Sequence, residues 1–182
     1  MSDLIYSDQR SKKFVFIPFC LICQAFQARG IVRHGFSATI KPIIEEVLKH
    51  DLNIVQMPCP ESQLGGLEKG LKRKPESLVK YNTPEFLSLC DRLADQVIDQ
   101  IKAIIANDFE VVAILGIEFS PACSVSLQYS NKGTFHEAGH FIAVLQRKLK
   151  KENINIPFLG INRRGMKSSI KKLKDLLEEK LI

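Results

Sequence analysis

The stretch Phe-Val-Phe-Ile-Pro-Phe-Cys, residues 14–20, decides the fold. It is apolar without interruption, rich in aromatic and β-branched residues, and stops at a cysteine. A half-buried strand alternates apolar with polar, whereas a strand covered on both faces reads as a continuous apolar run. Three more segments have this character: Asn-Ile-Val-Gln-Met (53–57), Val-Val-Ala-Ile-Leu-Gly-Ile (111–117) and Ile-Pro-Phe-Leu-Gly-Ile (156–161). Helical patterns lie between them. Ser37 is expected to cap a helix over 38–50, with Pro42 tolerated in its first turn. Thr83 followed by Pro84 opens a longer helix reaching about residue 107, whose stripe Phe86, Cys90, Leu93, Val97, Ile101 and Ile104 is spaced by three and four. Helices are also expected over 138–152 and 166–181. Alternating strands and helices predict an α/β fold: a Rossmann-like, mostly parallel sheet of about four strands, covered by helices on both faces. The turn-rich, basic segment 65–81 reads as a loop.

The length of 182 residues suits one domain (1–182), with a core over 13–162 and a basic C-terminal helix over 163–182. An apolar fraction of 45% and a charged fraction of 25% are those of an ordinary globular chain. No apolar run is long enough to span a bilayer, and the opening Met-Ser-Asp-Leu-Ile-Tyr-Ser lacks the layout of a secretory signal. A cytoplasmic location is therefore expected, where five cysteines point to metal ligands or reactive thiols before disulfides. The net charge of +6 is concentrated in 67–74, 146–151 and 162–180. Acids interspersed among these lysines and arginines favour solvated helix faces, and no nucleic-acid module is expected.

In doubly wound sheets, ligands bind beyond the carboxyl ends of the strands. Cys20 follows the first strand, Cys59 the second and Cys123 the third, so adjacent parallel strands would bring all three thiols to one crevice. Soft thiolates suit cluster iron, and three ligands leave one iron open to a substrate atom. Cys90, on the stripe of the long helix, reads as core packing. Cys23 forms Cys-Leu-Ile-Cys with Cys20, the spacing of a redox pair, and stays open as a fourth ligand, a redox partner or a bystander.

At these residues the chain resembles the 2-thiouracil desulfurase (desulfidase) family. The motifs that carry the resemblance are C-L-I-C-Q (20–24), I-V-R-H-G (31–35), C-P-E-S-Q-L-G-G-L (59–67), S-P-A-C-S (120–124) and G-T-F (133–135), spanning about 13–162. The resemblance implies a [4Fe-4S] cluster with three protein ligands, Cys20, Cys59 and Cys123. It implies a small thiolated substrate, such as a thiocarbonyl nucleobase, whose sulfur leaves as sulfide. Glu61 would act as acid and base, and Ser120 would orient the substrate or that acid. The chain departs from the family pattern in four places. The turn glycine after the first cysteine is replaced, and one residue is inserted before Gly65-Gly66. Ser124 stands where glycine is usual, and His34 replaces the Tyr-Asp before Gly35. These departures imply a substrate other than thiouracil itself. Arg163 and Arg164, past the fourth strand, could grip an anionic or planar group.

Two alternatives belong to other classes. His136-Glu137-Ala138-Gly139-His140 matches the H-E-x-x-H signature of zinc hydrolases, which requires both imidazoles on one helical face. A glycine inside the motif and a turn-like stretch before it weigh against a helix, favouring a loop that lines the cluster pocket. The other alternative is a non-enzymatic redox or metal-binding module using Cys20 and Cys23 alone. The sequence sets no oligomeric state.

Overall fold

The computed structural model describes residues 8–32 and 34–181; Arg33 of the I-V-R-H-G motif and the opening residues 1–7 lie outside the described residues. The chain runs β1 (Lys13–Pro18), α1 (Phe19–Ile22), α2 (Lys41–Lys49), β2 (Asn53–Met57), α3 (Pro60–Gln63), α4 (Leu67–Leu71) and α5 (Pro84–Ala106). It continues through β3 (Glu110–Ile117), β4 (Leu127–Ser130), β5 (Gly133–His136), α6 (His140–Lys151), β6 (Phe158–Ile161) and α7 (Met166–Leu181). Four strands form a parallel sheet in the order β2-β1-β3-β6, as the apolar runs predict.

Successive residues of β1 point to opposite faces and feed two cores. Phe16 joins Met57 and Ile114 beneath α5 and α6, where Phe86, Leu93, Val97, Ile101, Phe141 and Leu145 close the layer. Val15 and Ile17 join Ala113, Leu115 and Ile117 beneath α2 and α7, against Ile43, Val47, Leu173 and Leu177. Burying each of the larger apolar side chains among these contributes about 1.5–3 kcal/mol. The β1–β3 register slips between Phe14 and Val15, so Val112 is left without a partner on β1. This bulge is why Val112 and Ala113, consecutive in sequence, both enter the α2/α7 core. The second strand is an edge strand whose Asn53 and Gln56 face solvent, which accounts for its two polar residues.

The long helix begins as expected: Thr83 Oγ1 accepts from Phe86 N at 3.3 Å, and Pro84 occupies the first turn. α2 begins later than Ser37 suggested. Ile40 takes the cap position because its N–H donates to Leu21 O at 2.9 Å, and Pro42 sits in the first turn. The segment 65–81 contains α4 and a 3-10 turn at Leu78–Tyr81. The antiparallel hairpin β4–β5, closed by Asn131 and Lys132, was not expected. No helix among the described residues is long and apolar enough to cross a membrane.

Candidate functional site

β2, β1 and β3 lie side by side and parallel, so their carboxyl ends open at one mouth. Cys20 is the second residue of α1, Cys59 caps α3, and Cys123 lies in the loop after β3. Their side chains, with Glu61, Arg73, Ser120 and Arg163, line one cavity of about 70 Å³. Cys23 is not among its lining residues, and all five cysteines are free. Cys90 is fully buried in the core under α5, where the stripe placed it.

The Cys123 loop is held tightly, and three glycines allow it. Gly116 of β3 pairs with Gly160 of β6 in the sheet. A Cβ on Gly116 would stand 2.4 Å from Cys123 O, and one on Gly160 would stand 1.8 Å from Glu118 Oε1. A Cβ on Gly139 would meet Ala122 O at 2.4 Å. The loop thus rests on two bare positions of the sheet and is covered by a third. Glu118, buried at the end of β3, organises it from within. Its carboxylate accepts from Ser124 Oγ (2.7 Å), Ser126 Oγ (3.0 Å), Ser126 N (3.2 Å) and Leu127 N (2.8 Å). Ser124 supplies one of these donors. From outside, the N–H groups of His140 and Phe141 donate to Pro121 O (2.9 Å) and Ala122 O (3.1 Å).

These contacts decide the His-Glu-Ala-Gly-His segment. His136 ends β5, Glu137 to Gly139 are loop, and His140 is the first residue of α6. His136 and Glu137 are exposed, and His140 Nε2 lies 3.1 Å from Leu78 O. The two imidazoles do not share a helical face, as the glycine and the preceding turn had argued, and the zinc hydrolase alternative loses its geometric basis. Gly139, anomalous in such a motif, is there because a side chain would collide with the Cys123 loop.

Glu61 and Ser120 meet although 59 residues separate them. Ser120 Oγ donates to Glu61 Oε1 at 2.9 Å while accepting from Cys123 N (2.9 Å) and Ala122 N (3.2 Å). The two backbone donors direct the hydroxyl proton toward the carboxylate. Arg73 Nε stands 3.5 Å from Glu61 Oε2, an ion pair without hydrogen-bond alignment, with side chains only 11% and 13% exposed. The Arg73 guanidinium also donates to Gly70 O at 2.9 Å and to Phe26 O, and Nη2 lies 4.0 Å from Cys59 Sγ. Buried Gln128 donates to Ser120 O at 2.9 Å.

Burial pushes the thiols of Cys20, Cys59 and Cys123 up from their ordinary value; Glu61 adds to it for all three, and neighbouring cysteines add to it for Cys20 and Cys123. Arg73 pulls Cys59 and Cys20 back, and Arg163 pulls Cys20. Among the described residues, no three His, Cys, Asp or Glu side chains converge on a point suited to a single metal ion. One ion would require every sulfur within about 2.3 Å of it.

Sequence reasoning missed Arg73, Glu118 and Gln128. Arg73 sits in a basic run that reads as a solvated face, and its anchors are backbone carbonyls that no spacing reveals. Glu118 carried a signal: an acid directly after a buried strand and five residues before Cys123.

No family model matches the chain. The uncharacterized protein MJ0003 of Methanocaldococcus jannaschii is 25% identical over 128 residues, covering 70% of this chain and 76% of that protein. Among solved structures, a [4Fe-4S]-dependent thiouracil desulfidase, TudS, is similar with a TM-score of 0.49 and 17% identity, covering 88% of this chain and 97% of that one.

Proposed function

We propose that this chain is an enzyme that hydrolyses the thiocarbonyl of a small compound such as a thiolated nucleobase, with Cys20, Cys59 and Cys123 holding a [4Fe-4S] cluster. The observation that carries the reading is the shared cavity. Three soft donors, a carboxylate and its hydroxyl partner line one opening at the carboxyl ends of neighbouring parallel strands. The donor set fits such a group. A cluster binds each cysteine through a different iron, so its ligands need not converge on one point as a single ion's must. When bound, the cluster supplies a Lewis-acidic iron toward the substrate sulfur.

The chain's own residues manage water and protons. The overall change is C=S plus H2O to C=O plus H2S: a carbon–oxygen bond forms, the carbon–sulfur bond breaks, and no electrons are gained or lost. Glu61 takes a proton from the attacking water and returns one to the departing sulfur, the paired duty of a general acid and base. Ser120 is a positioning residue, since its hydroxyl proton is directed at Glu61 Oε1. Arg73 fixes the other carboxylate oxygen.

The test is anaerobic reconstitution followed by iron and sulfide analysis and an assay of sulfide release from thiouracils. Brown protein with about four irons and four sulfides per chain is expected, with loss of the cluster in Cys123→Ala and loss of sulfide release in Glu61→Gln. Colourless, iron-free protein after reconstitution, or full activity in Glu61→Gln, would overturn the reading.

A further inference from the structure

Gln27 lines the thiol cavity and is only 8% exposed. The carboxylate on the same lining is engaged: Glu61 accepts from Ser120 and pairs with Arg73, whose guanidinium is anchored on Gly70 O and Phe26 O. The Gln27 side-chain amide is not, since no described residue hydrogen-bonds to it. A buried amide without a partner costs free energy, and native folds leave few of them. Its atoms are not sealed off, as Gln24 Oε1 and Arg73 Nε are, so the cavity is where they can meet a partner.

The backbone that presents Gln27 is fixed on both sides. It follows the 3-10 turn Gln24–Phe26, and its N–H donates to Gln24 O at 3.0 Å. Gln24 N donates to Ala38 O at 2.7 Å, and the Gln24 side chain donates to Cys20 O. Phe26 stacks on Phe19 with ring centroids 3.7 Å apart, and Arg29 N donates to Arg73 O at 3.0 Å. The turn thus ties Gln27 to Cys20 on one side and to Arg73 on the other. A side chain carried on so fixed a backbone is preorganised for a ligand contact.

We infer that Gln27 is a substrate-positioning residue that reads the neutral edge of a cyclic lactam, a ring N–H beside a C=O. Its amide carries both an acceptor and donors. Oε1 accepts from the ring N–H while Nε2 donates to the adjacent carbonyl, as two parallel bonds. A cluster sulfur accepts hydrogen bonds and gives none, so it would meet Nε2 and leave Oε1 unpartnered. A lactam edge meets both. In 2-thiouracil one N–H lies between the thiocarbonyl and a carbonyl, so the same contact aims the reacting carbon. A compound without that N–H leaves a buried acceptor unmet, which makes the contact selective. The fate of the thiocarbonyl rests on the proposed desulfuration; recognition of the ring edge rests on the unpartnered amide.

Gln27→Leu keeps the bulk of the side chain and removes the amide. Without ligand, its urea midpoint should equal or exceed the parent's, because nothing in the protein loses a bond. A fall of more than about 0.5 M would give Gln27 a structural role and overturn the inference. Binding is read by calorimetry on the protein as purified and after cluster reconstitution. The probes are uracil, which has no sulfur to release, and 1,3-dimethyluracil, which has no ring N–H. The parent should bind uracil at least about tenfold tighter than the dimethyl compound in one of the two forms, and Gln27→Leu should remove most of that advantage. An advantage untouched by Gln27→Leu, or no uracil binding at millimolar concentration in either form, overturns the inference. In turnover of 2-thiouracil, Gln27→Leu should lower kcat/KM about tenfold and leave the cluster's visible absorption and reduction potential unchanged. A shifted potential with uracil selectivity intact would put the amide on the cluster, against the inference. Equal kcat/KM in parent and variant overturns the role of Gln27 and leaves desulfuration standing. Uracil selectivity that depends on Gln27, in a parent that releases no sulfide, supports Gln27 and counts against desulfuration.

Discussion

Gly116→Ala tests whether the bare patch of sheet holds the Cys123 loop in place. The new methyl would stand 2.4 Å from Cys123 O and 2.6 Å from Val125 Cγ2. The backbone carbonyl must retreat by about 1 Å to reach an ordinary contact. It cannot do so freely, because it accepts from Ile117 N at 2.9 Å. Overpacking against backbone costs about 2 kcal/mol and the weakened hydrogen bond about 1 more, so a loss near 3 kcal/mol is expected. With a slope of about 2 kcal/mol per molar urea, the unfolding midpoint should fall by about 1.5 M. The protein should still fold, and alkylation of Cys123, followed by mass spectrometry, should speed up as the loop loosens. Gly160→Ala reaches the same loop through Glu118, so the double variant should lose clearly less than the sum of the two. A Gly116→Ala protein within about 0.5 kcal/mol of the parent, with Cys123 equally protected, would refute the reasoning.

Ser120→Ala should cost about 1–3 kcal/mol in urea unfolding, because Ala122 N, Cys123 N and Glu61 Oε1 all lose a partner. It should also lower kcat for sulfide release by at least about tenfold and shift its pH profile; an unchanged profile would argue against positioning. Arg73→Gln should cost about 3 kcal/mol, since it removes the guanidinium paired with the largely buried Glu61 carboxylate, and Glu61→Gln in the same chain should recover part of that loss. Cys90 sets a pH dependence. Burial pushes its thiol up from 9.0 to about 12, so the folded state keeps a proton that the unfolded chain releases. Stability is therefore full below pH about 9 and is lost as pH rises toward 12, by up to about 1.4 kcal/mol per pH unit. Urea midpoints of metal-free protein measured from pH about 8 to about 11 should fall more steeply than those of Cys90→Ala; parallel curves would contradict this.

The sheet was legible because strands buried on both faces leave long apolar runs, and 53–57 and 111–117 emerged within a residue of their observed limits. α5 was legible because Thr83 and Pro84 mark its start and an unbroken stripe marks its buried face. That Cys20, Cys59 and Cys123 line one cavity followed from strand adjacency. What escaped was held by contacts with no period. β4 and β5 are four residues each, too short to show alternation, and their turn Ser-Asn-Lys-Gly was visible without the strands it joins. Ser37 looked like a cap, but Ile40 is tied to Leu21 across the fold, and tertiary hydrogen bonding outweighed local preference. Gly139 looked like a flaw in a metal motif and is a clearance for a loop 17 residues upstream in the chain.

The cavity gathers groups that repel one another's ionised forms. Cys20, Cys59, Cys123 and Glu61 would each carry negative charge, and each thiol raises the cost of ionising the next. Arg73 and Arg163 offset this only in part. A fold selected for stability alone would fill such a space with packed apolar side chains. Here three glycines are kept bare, a carboxylate is buried on serine hydroxyls, and an arginine is threaded between two backbone carbonyls, all to hold one loop and one acid in place. Structure that works against local stability at a single mouth of the sheet supports the proposed function. Thiols held neutral by burial also give up their protons when a cation of high charge binds, so loading such a site should be favoured by rising pH.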